Sequence, residues 1–230
     1  TGFNTIIPGK YGKSSIGVEY HTDRIQSNVL GTLMDSPAVI PGEIRGQFTK
    51  EARRELLNLY IEHTKDLGGI YVSGGALFNA SNDYGYHTSL GGEIGKSIKD
   101  FGKLYISVNQ SLRLPTFTDL YYDGPTNTGN ADLKPEKATT FEIGHKITIG
   151  RFETELSAFD RIGRNIIDWV KLPEENQYTT RNHTRLNTYG FSISSEMNTL
   201  TLPASGSWIQ NIQFSYGFVK TDKKSGDYIS

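Results

Sequence analysis

The chain has 230 residues, with 24 lysines and arginines against 25 aspartates and glutamates, so its formal charge of −1 favours no nucleic-acid partner. It contains no cysteine, which excludes a disulfide framework, a thiolate metal site and a cysteine nucleophile. No run approaches the roughly 18 consecutive apolar residues of a transmembrane helix, so that kind of membrane span is excluded as well.

Alternation of apolar and polar residues dominates the chain. For example, Leu104, Ile106 and Val108 alternate with Tyr105 and Ser107. A period of two is the signature of β-strands with one apolar face, and strands of this kind need few apolar residues overall. The pattern predicts nine strands, which in chain order cover residues 13–28, 47–65, 69–81, 86–98, 103–115, 136–149, 151–170, 184–200 and 205–222.

Short and long connections alternate between these strands. We expect the short turns at 65–69, 99–102, 149–151 and 201–205, and the longer loops at 29–46, 82–86, 116–135 and 171–183. This asymmetry, together with strands longer than the usual five or six residues, favours a transmembrane β-barrel over a soluble sandwich. Aromatic residues near the short turns predict one interfacial girdle, made of Tyr11, Tyr71, Phe101, Phe152 and Trp208.

Nine strands cannot close a bacterial single-chain barrel, which has an even strand number and no open edge. The predicted fold class is therefore all-β, a partial antiparallel transmembrane β-barrel. We expect residues 1–230 to be a fragment of the barrel domain of a larger protein, with the remaining strands outside it.

The most specific motif lies between residues 113 and 144. It reads RLPTFTDLYY from Arg113, then GNADLKPE at 129–136 and FEIG at 141–144. These segments resemble the barrel half of TonB-dependent outer-membrane receptors, which carry R-A-P-T-F-x-D-L-Y, then G-N-P-x-L-K-P-E, then E-x-G. Leu114 and Ala131 depart from that pattern. Within the family the resemblance is nearest the vitamin B12 and siderophore receptors.

The resemblance implies a bacterial outer-membrane receptor with a barrel of about 22 strands. It implies that the protein's own N-terminal plug domain fills the lumen and that the TonB complex of the inner membrane drives uptake of a small-molecule nutrient complex of siderophore, haem or cobalamin type. Outer-membrane lipid would surround the barrel, and no reaction or cofactor is expected. Polar-face charges are candidates to face the plug, namely Arg113, Glu142 and Glu196.

Residues of the long loop after Arg113 are candidate ligand contacts, because loop aromatics and amides offer rigid contact area and hydrogen bonds. They are Tyr121, Tyr122, Asp123 and Asn127. The alternatives are a solvated loop and solvated lumen charges without individual roles. No catalytic or metal site is predicted, since Glu153 and Glu155 share a strand face without a cleft signal and the histidines lack metal-ligand spacing.

Two other functions fit the same pattern: a passive porin-type barrel, and a soluble cell-surface β-domain that binds glycan or protein. A plug with a TonB-contacting segment in the full gene would distinguish active import from both. Dependence of the intact protein on detergent would distinguish the two membrane functions from the soluble one.

Overall fold

The computed structural model describes residues 1–198 and 211–223. These residues form one short helix, α1 (Phe117–Tyr121), and twelve strands: β1 (Gly2–Gly9), β2 (Gly12–Ser27), β3 (Thr32–Val39), β4 (Gln47–Asp66), β5 (Ile70–Ser81), β6 (Gly85–Ile98), β7 (Gly102–Arg113), β8 (Asn127–Thr128), β9 (Glu136–Ile149), β10 (Phe152–Val170), β11 (Tyr178–Asn198) and β12 (Asn211–Lys223).

Ten of these strands form one antiparallel sheet in the order β1-β2-β4-β5-β6-β7-β9-β10-β11-β12. The two others are accessory, since β3 pairs with the start of β4 and the two-residue β8 pairs in parallel with β11. Within the ranges that the structure covers, β1 and β12 each pair on one side only, so the sheet is open there. The predicted class, an all-β partial antiparallel barrel of long strands, is confirmed.

The two faces of the sheet differ sharply in polarity. One continuous row across β6, β7, β9, β10, β11 and β12 consists only of apolar residues, namely Ile94, Ile106, Ile143, Ala158, Phe191 and Phe218. The adjacent row is displaced by one residue on every strand and therefore lies on the opposite face. It consists of Gly95, Tyr105, Gly144, Ser157, Ser192 and Gly217. We call these the apolar face and the polar face.

The apolar face is exposed rather than packed against a second layer. Ile106 and Ile143 are 57% and 55% exposed, values that a sandwich core would not allow. Apolar residues of the alternating strands share this face, among them Leu57, Leu59, Ile61, Ile106, Val108, Phe141, Ile143, Phe191 and Ile193. No helix among the described residues is long and apolar enough to cross a membrane.

Aromatic rings on the polar face lie over glycines of the neighbouring strand. A Cβ added to Gly17 would come within 2.1 Å of the Tyr60 ring, and one added to Gly144 within 2.2 Å of the Tyr105 ring. Tyr71 covers Gly95 in the same way. The glycines therefore give each ring the room to lie flat across the ladder.

Glycines with positive φ lie in the short turns, and at two of these turns a histidine of the apolar face contacts a turn carbonyl. Gly102 has a φ of 92°, a conformation that side chains rarely adopt. Next to it, the His145 Nε2 donates to the Phe101 carbonyl at 2.6 Å and the two rings stack at 4.6 Å. His63 contacts the Tyr11 carbonyl in the equivalent way, at 3.3 Å.

The predicted girdle needs one correction. Tyr11, Phe101 and Phe152 are exposed beside the short turns, as expected. Tyr71 instead lies on the polar face, because its register partner Gly95 belongs to that face. Trp208 lies outside the described residues.

The strand count also needs correction, since the described residues place ten strands in line where nine were predicted. Residues 2–9 form β1, although Ile6, Ile7 and Pro8 give no apolar–polar alternation. Residues 32–39 of the predicted 29–46 loop form β3, with a shifted register between Leu33 and Ala38. The loop predicted at 171–183 is shorter, because β11 begins at Tyr178 and its first residues extend the ladder with β10. The turn predicted at 201–205 lies outside the described residues.

Candidate functional site

The best-packed region lies at the end of the sheet that carries the long connections. There residues 114–135, which we call the motif loop, join β7 to β9. Pro115, Leu120, Leu133, Val170 and Thr180 are buried in this region, while most large apolar side chains of the described strands are exposed.

The motif loop begins with helix α1, which the sequence prediction missed. The Asp119 backbone N–H donates to the Thr116 hydroxyl at 3.1 Å, and the Thr116 N–H donates to the Asp119 carboxylate at 2.9 Å. This reciprocal pair is a capping box, in which two side chains satisfy N–H groups at a helix start. The T-x-x-D spacing in the sequence carried that signal.

An ion pair joins the two strands from which the motif loop starts and ends. The Arg113 guanidinium donates to both oxygens of Glu136, at 2.9 and 2.7 Å, and lies 3.5 Å from Asp119. Glu136 also accepts the Ile167 backbone N–H at 2.8 Å. Arg113, predicted to face a plug, is thus used within the chain to hold the base of the loop.

We expect Arg113→Met to destabilise the intact protein by about 1–2 kcal/mol, because among the described residues Glu136 would keep one hydrogen-bond donor, the Ile167 N–H, at a site where its side chain is 11% exposed. Arg24→Met is the matched control, since Arg24 and Glu51 form an exposed pair whose loss should cost less than about 1 kcal/mol. Urea unfolding of both variants checks this. Equal losses of unfolding free energy in the two variants would show that the Arg113 pair contributes no more than an exposed ion pair.

Strand β11 holds the motif loop at α1 and along its second half. The Thr180 hydroxyl donates to the Asp119 carbonyl at 2.7 Å, and the Asn130 side chain donates to the Thr180 carbonyl at 3.3 Å. Asn182 accepts the Lys134 N–H at 2.8 Å and donates to the Lys134 carbonyl at 2.9 Å. Gly129 lies so close to the Leu120 backbone that a Cβ would approach it to 2.8 Å. Most of the motif's polar residues therefore have a structural role.

The four candidate ligand residues lie together on this loop. The Tyr122 ring meets the Trp169 ring edge-on, with centroids 6.0 Å apart, and the Tyr121 ring lies 6.4 Å from that of Phe117. Asp123 is exposed beside Thr128. Asn127 is half-buried and accepts the Thr126 hydroxyl at 2.7 Å. Trp169, which sequence reasoning did not select, shares this aromatic surface.

The three candidate plug-facing charges are far apart along the polar face. Arg113 pairs with Glu136, and Glu142 lies six positions further along β9, which is about 20 Å of extended strand. Glu196 lies near the short-turn end, opposite Glu153, and contacts the Asn211 side chain.

Glu142 belongs to a charge-paired network on the polar face. The Tyr105 hydroxyl lies 2.7 Å from Glu142 and 2.8 Å from Glu155 and can donate to either carboxylate. Lys146 lies 3.0 Å from Glu155, and the Lys103 ammonium lies 3.6 Å from the centre of the Tyr71 ring. No group of three or more metal-ligating side chains was found in residues 1–198 and 211–223. The arrangement is suited to holding polar side chains in place along a wet surface.

Comparison with known proteins gives one family and several relatives. The family described as TonB dependent receptor-like, beta-barrel matches residues 4–230. The vitamin B12 transporter BtuB of Vibrio vulnificus strain YJ016 is 25% identical over 116 residues, or 50% of this chain and 18% of that protein. The same transporter of strain CMCP6 is 29% identical over 120 residues, or 51% of this chain and 18% of that protein.

Solved structures share the fold. The siderophore receptor PirA from Pseudomonas aeruginosa gives a TM-score of 0.69 at 13% identity, over 96% of this chain and 39% of that chain. The FrpB iron transporter from Neisseria meningitidis gives a TM-score of 0.65 at 13% identity, over 96% of this chain and 35% of that chain. The chain thus matches less than half the length of each of these proteins.

Proposed function

Because the chain belongs to the TonB-dependent receptor β-barrel family, we propose that it forms part of the wall of a bacterial outer-membrane receptor that imports a scarce nutrient complex. The observation that carries the proposal is the family match over residues 4–230. The exposed apolar face and the charged polar face support it, because a barrel wall of this kind meets lipid on one side and a polar interior on the other. A soluble β-domain would cover such an apolar face.

In this proposal the polar face lines a lumen occupied by a plug domain of the same protein. Glu142 and Glu196 lie on that face and would contact the plug or the water around it. Arg113 would face the plug as well, since its side chain is 47% exposed although its guanidinium is bonded to Glu136. TonB at the inner membrane would supply the energy, and the chain itself catalyses no reaction.

The proposed substrate class is a metal chelate of cobalamin or ferric-siderophore type. The two vitamin B12 transporters favour cobalamin, because the likeness to the siderophore receptors extends to the fold alone. Tyr121, Tyr122, Asp123 and Asn127 would meet the ligand at the mouth of the barrel, together with Trp169.

Growth of a strain lacking its own receptors tests the proposal. The full-length gene should restore growth when cyanocobalamin, or alternatively ferric enterobactin, is supplied at limiting concentration, and deletion of TonB should abolish the rescue. Rescue that persists without TonB would favour the passive porin-type barrel. Absence of rescue by every chelate of the two types would contradict the proposed substrate class.

The orientation of the sheet gives a separate prediction. The motif loop and the β10–β11 connection should be extracellular, because the long connections of outer-membrane barrels lie on the extracellular side. Single cysteines at Thr126 and Asn176, both exposed, should react with an impermeant maleimide on intact cells. A cysteine at Lys99, in a short turn, should react only after the outer membrane is breached. Labelling at position 99 on intact cells, with labelling at 126 and 176 only after the membrane is breached, would show that the sheet has the opposite orientation.

A further inference from the structure

Arg54 is a buried arginine on the polar face of β4, with 5% of its surface exposed. Its neighbour Arg53 points to the other face and forms a solvent-exposed ion pair with Glu55. A buried guanidinium is stable only where its charge and its N–H groups are compensated, so the contacts of Arg54 indicate what it holds together.

Those contacts come from two separate connections. The Nε group of Arg54 lies 3.1 Å from the carboxylate of Asp83, in the turn between β5 and β6. The Nη1 group donates to the Pro115 carbonyl at 2.8 Å, at the start of the motif loop. The first partner is 29 residues away along the chain and the second 61 residues away.

Aromatic rings from the same two connections enclose the guanidinium. Its Cζ lies 5.4 Å from the ring centre of Tyr84 and 5.2 Å from that of Phe117, both within the range of cation–π attraction. The buried Nη2 has no hydrogen-bond acceptor among the described residues, so these rings and the Asp83 charge compensate that side of the group. A planar guanidinium can stack on rings and donate in its own plane at once, which an ammonium cannot do.

We propose that Arg54 is a positioning residue that locks the β5–β6 turn and the first half of the motif loop into one rigid unit. Three attachments then hold the loop: Arg54 at its start, Arg113 and Glu136 at its base, and β11 at both its first and its second half. The rigid loop presents Tyr121 and Tyr122 in a fixed orientation. The consequence for ligand binding rests on the proposed function, whereas the clamp itself does not.

Hydrogen exchange of the full-length receptor in detergent tests the clamp. The informative amides are those of Leu120 and Tyr122, which donate to Thr116 and Thr118 within α1. In Arg54→Met these two amides should exchange about tenfold faster, while the ladder between β7 and β9 stays unchanged. Arg53→Met, the adjacent exposed arginine, should leave them within about twofold of wild type. Arg54→Lys should give an intermediate rate.

Unchanged exchange at Leu120 and Tyr122 in Arg54→Met would overturn the proposal, and so would equal acceleration in Arg53→Met. If Arg54→Met does not assemble, Phe117→Leu and Tyr84→Leu each remove one enclosing ring and should accelerate the same two amides. No acceleration in either ring variant would also overturn the clamp.

Binding of cyanocobalamin as a probe separates this inference from the proposed function. If the wild-type receptor binds the probe, affinity should fall about tenfold in Arg54→Met and recover in part in Arg54→Lys. Unchanged affinity with accelerated exchange would overturn the link between the clamp and ligand contact. A wild-type receptor that does not bind cyanocobalamin would contradict the cobalamin assignment, and the exchange rates would still decide the clamp.

Discussion

Replacing Ile143 by arginine should destabilise the intact receptor by about 2–4 kcal/mol, the range measured for a charge at the lipid-facing midplane of a barrel. Ile143 lies at the centre of the all-apolar row and is 55% exposed. Its environment in the membrane would therefore be hydrocarbon, where a guanidinium loses its hydration. Equilibrium unfolding in lipid vesicles gives the free energy.

Thr140 provides the control, because it lies on the same strand and on the polar face. Thr140→Arg should cost less than about 1 kcal/mol, since its side chain would reach a wet interior. Similar losses at positions 143 and 140 would reject the assignment of the two faces.

The second large effect is expected at Gly144. A Cβ there would stand 2.2 Å from the Tyr105 ring, which is buried and whose hydroxyl can donate to either Glu142 or Glu155. Gly144→Ala must displace that ring and should cost about 1–3 kcal/mol. Gly217→Ala is the control in the same row, because the nearest atom that its Cβ would meet among the described residues is the Phe191 carbonyl oxygen at 3.9 Å. Thermal unfolding of the two variants in detergent compares them.

The origin of the Gly144 effect can be isolated by removing the ring. In a Tyr105→Ala background, Gly144→Ala should lower the free energy of unfolding far less, because the ring that the Cβ would displace is absent. Additive losses from the two substitutions would show that the glycine is required for the backbone and not for the ring.

The sequence was most informative where the side-chain period was regular. Long strands such as β9 and β10 fall within a residue or two of the predicted ranges, because alternation fixes both the strand and its two faces. Prediction failed where alternation is absent or short, as in β1, where Ile6, Ile7 and Pro8 follow one another. It also failed for Tyr71, which was placed by its nearness to a turn and not by its parity along β5.

The site was less predictable, because its contacts join distant parts of the chain. The motif identified the loop and the family resemblance, and its T-x-x-D spacing could have located α1. Alternation places Arg53 and Arg54 on opposite faces, but nothing local indicates that Arg54 is buried, since its partners Asp83, Pro115 and Phe117 meet it only once the sheet has formed. The candidate ligand residues Tyr121 to Asn127 do lie together, and their contact with ligand stays a prediction.

The most direct test of this account is the accessibility of spin labels along β7 in the full-length receptor reconstituted in lipid. Labels at successive positions from 104 to 109 would be compared for collision with oxygen, which partitions into lipid, and with a water-soluble nickel chelate. The account predicts strict alternation, with oxygen favoured at Leu104, Ile106 and Val108 and nickel favoured at Tyr105, Ser107 and Asn109. Uniform accessibility, or alternation of the opposite phase, would contradict the claim that this sheet is the wall of a membrane barrel.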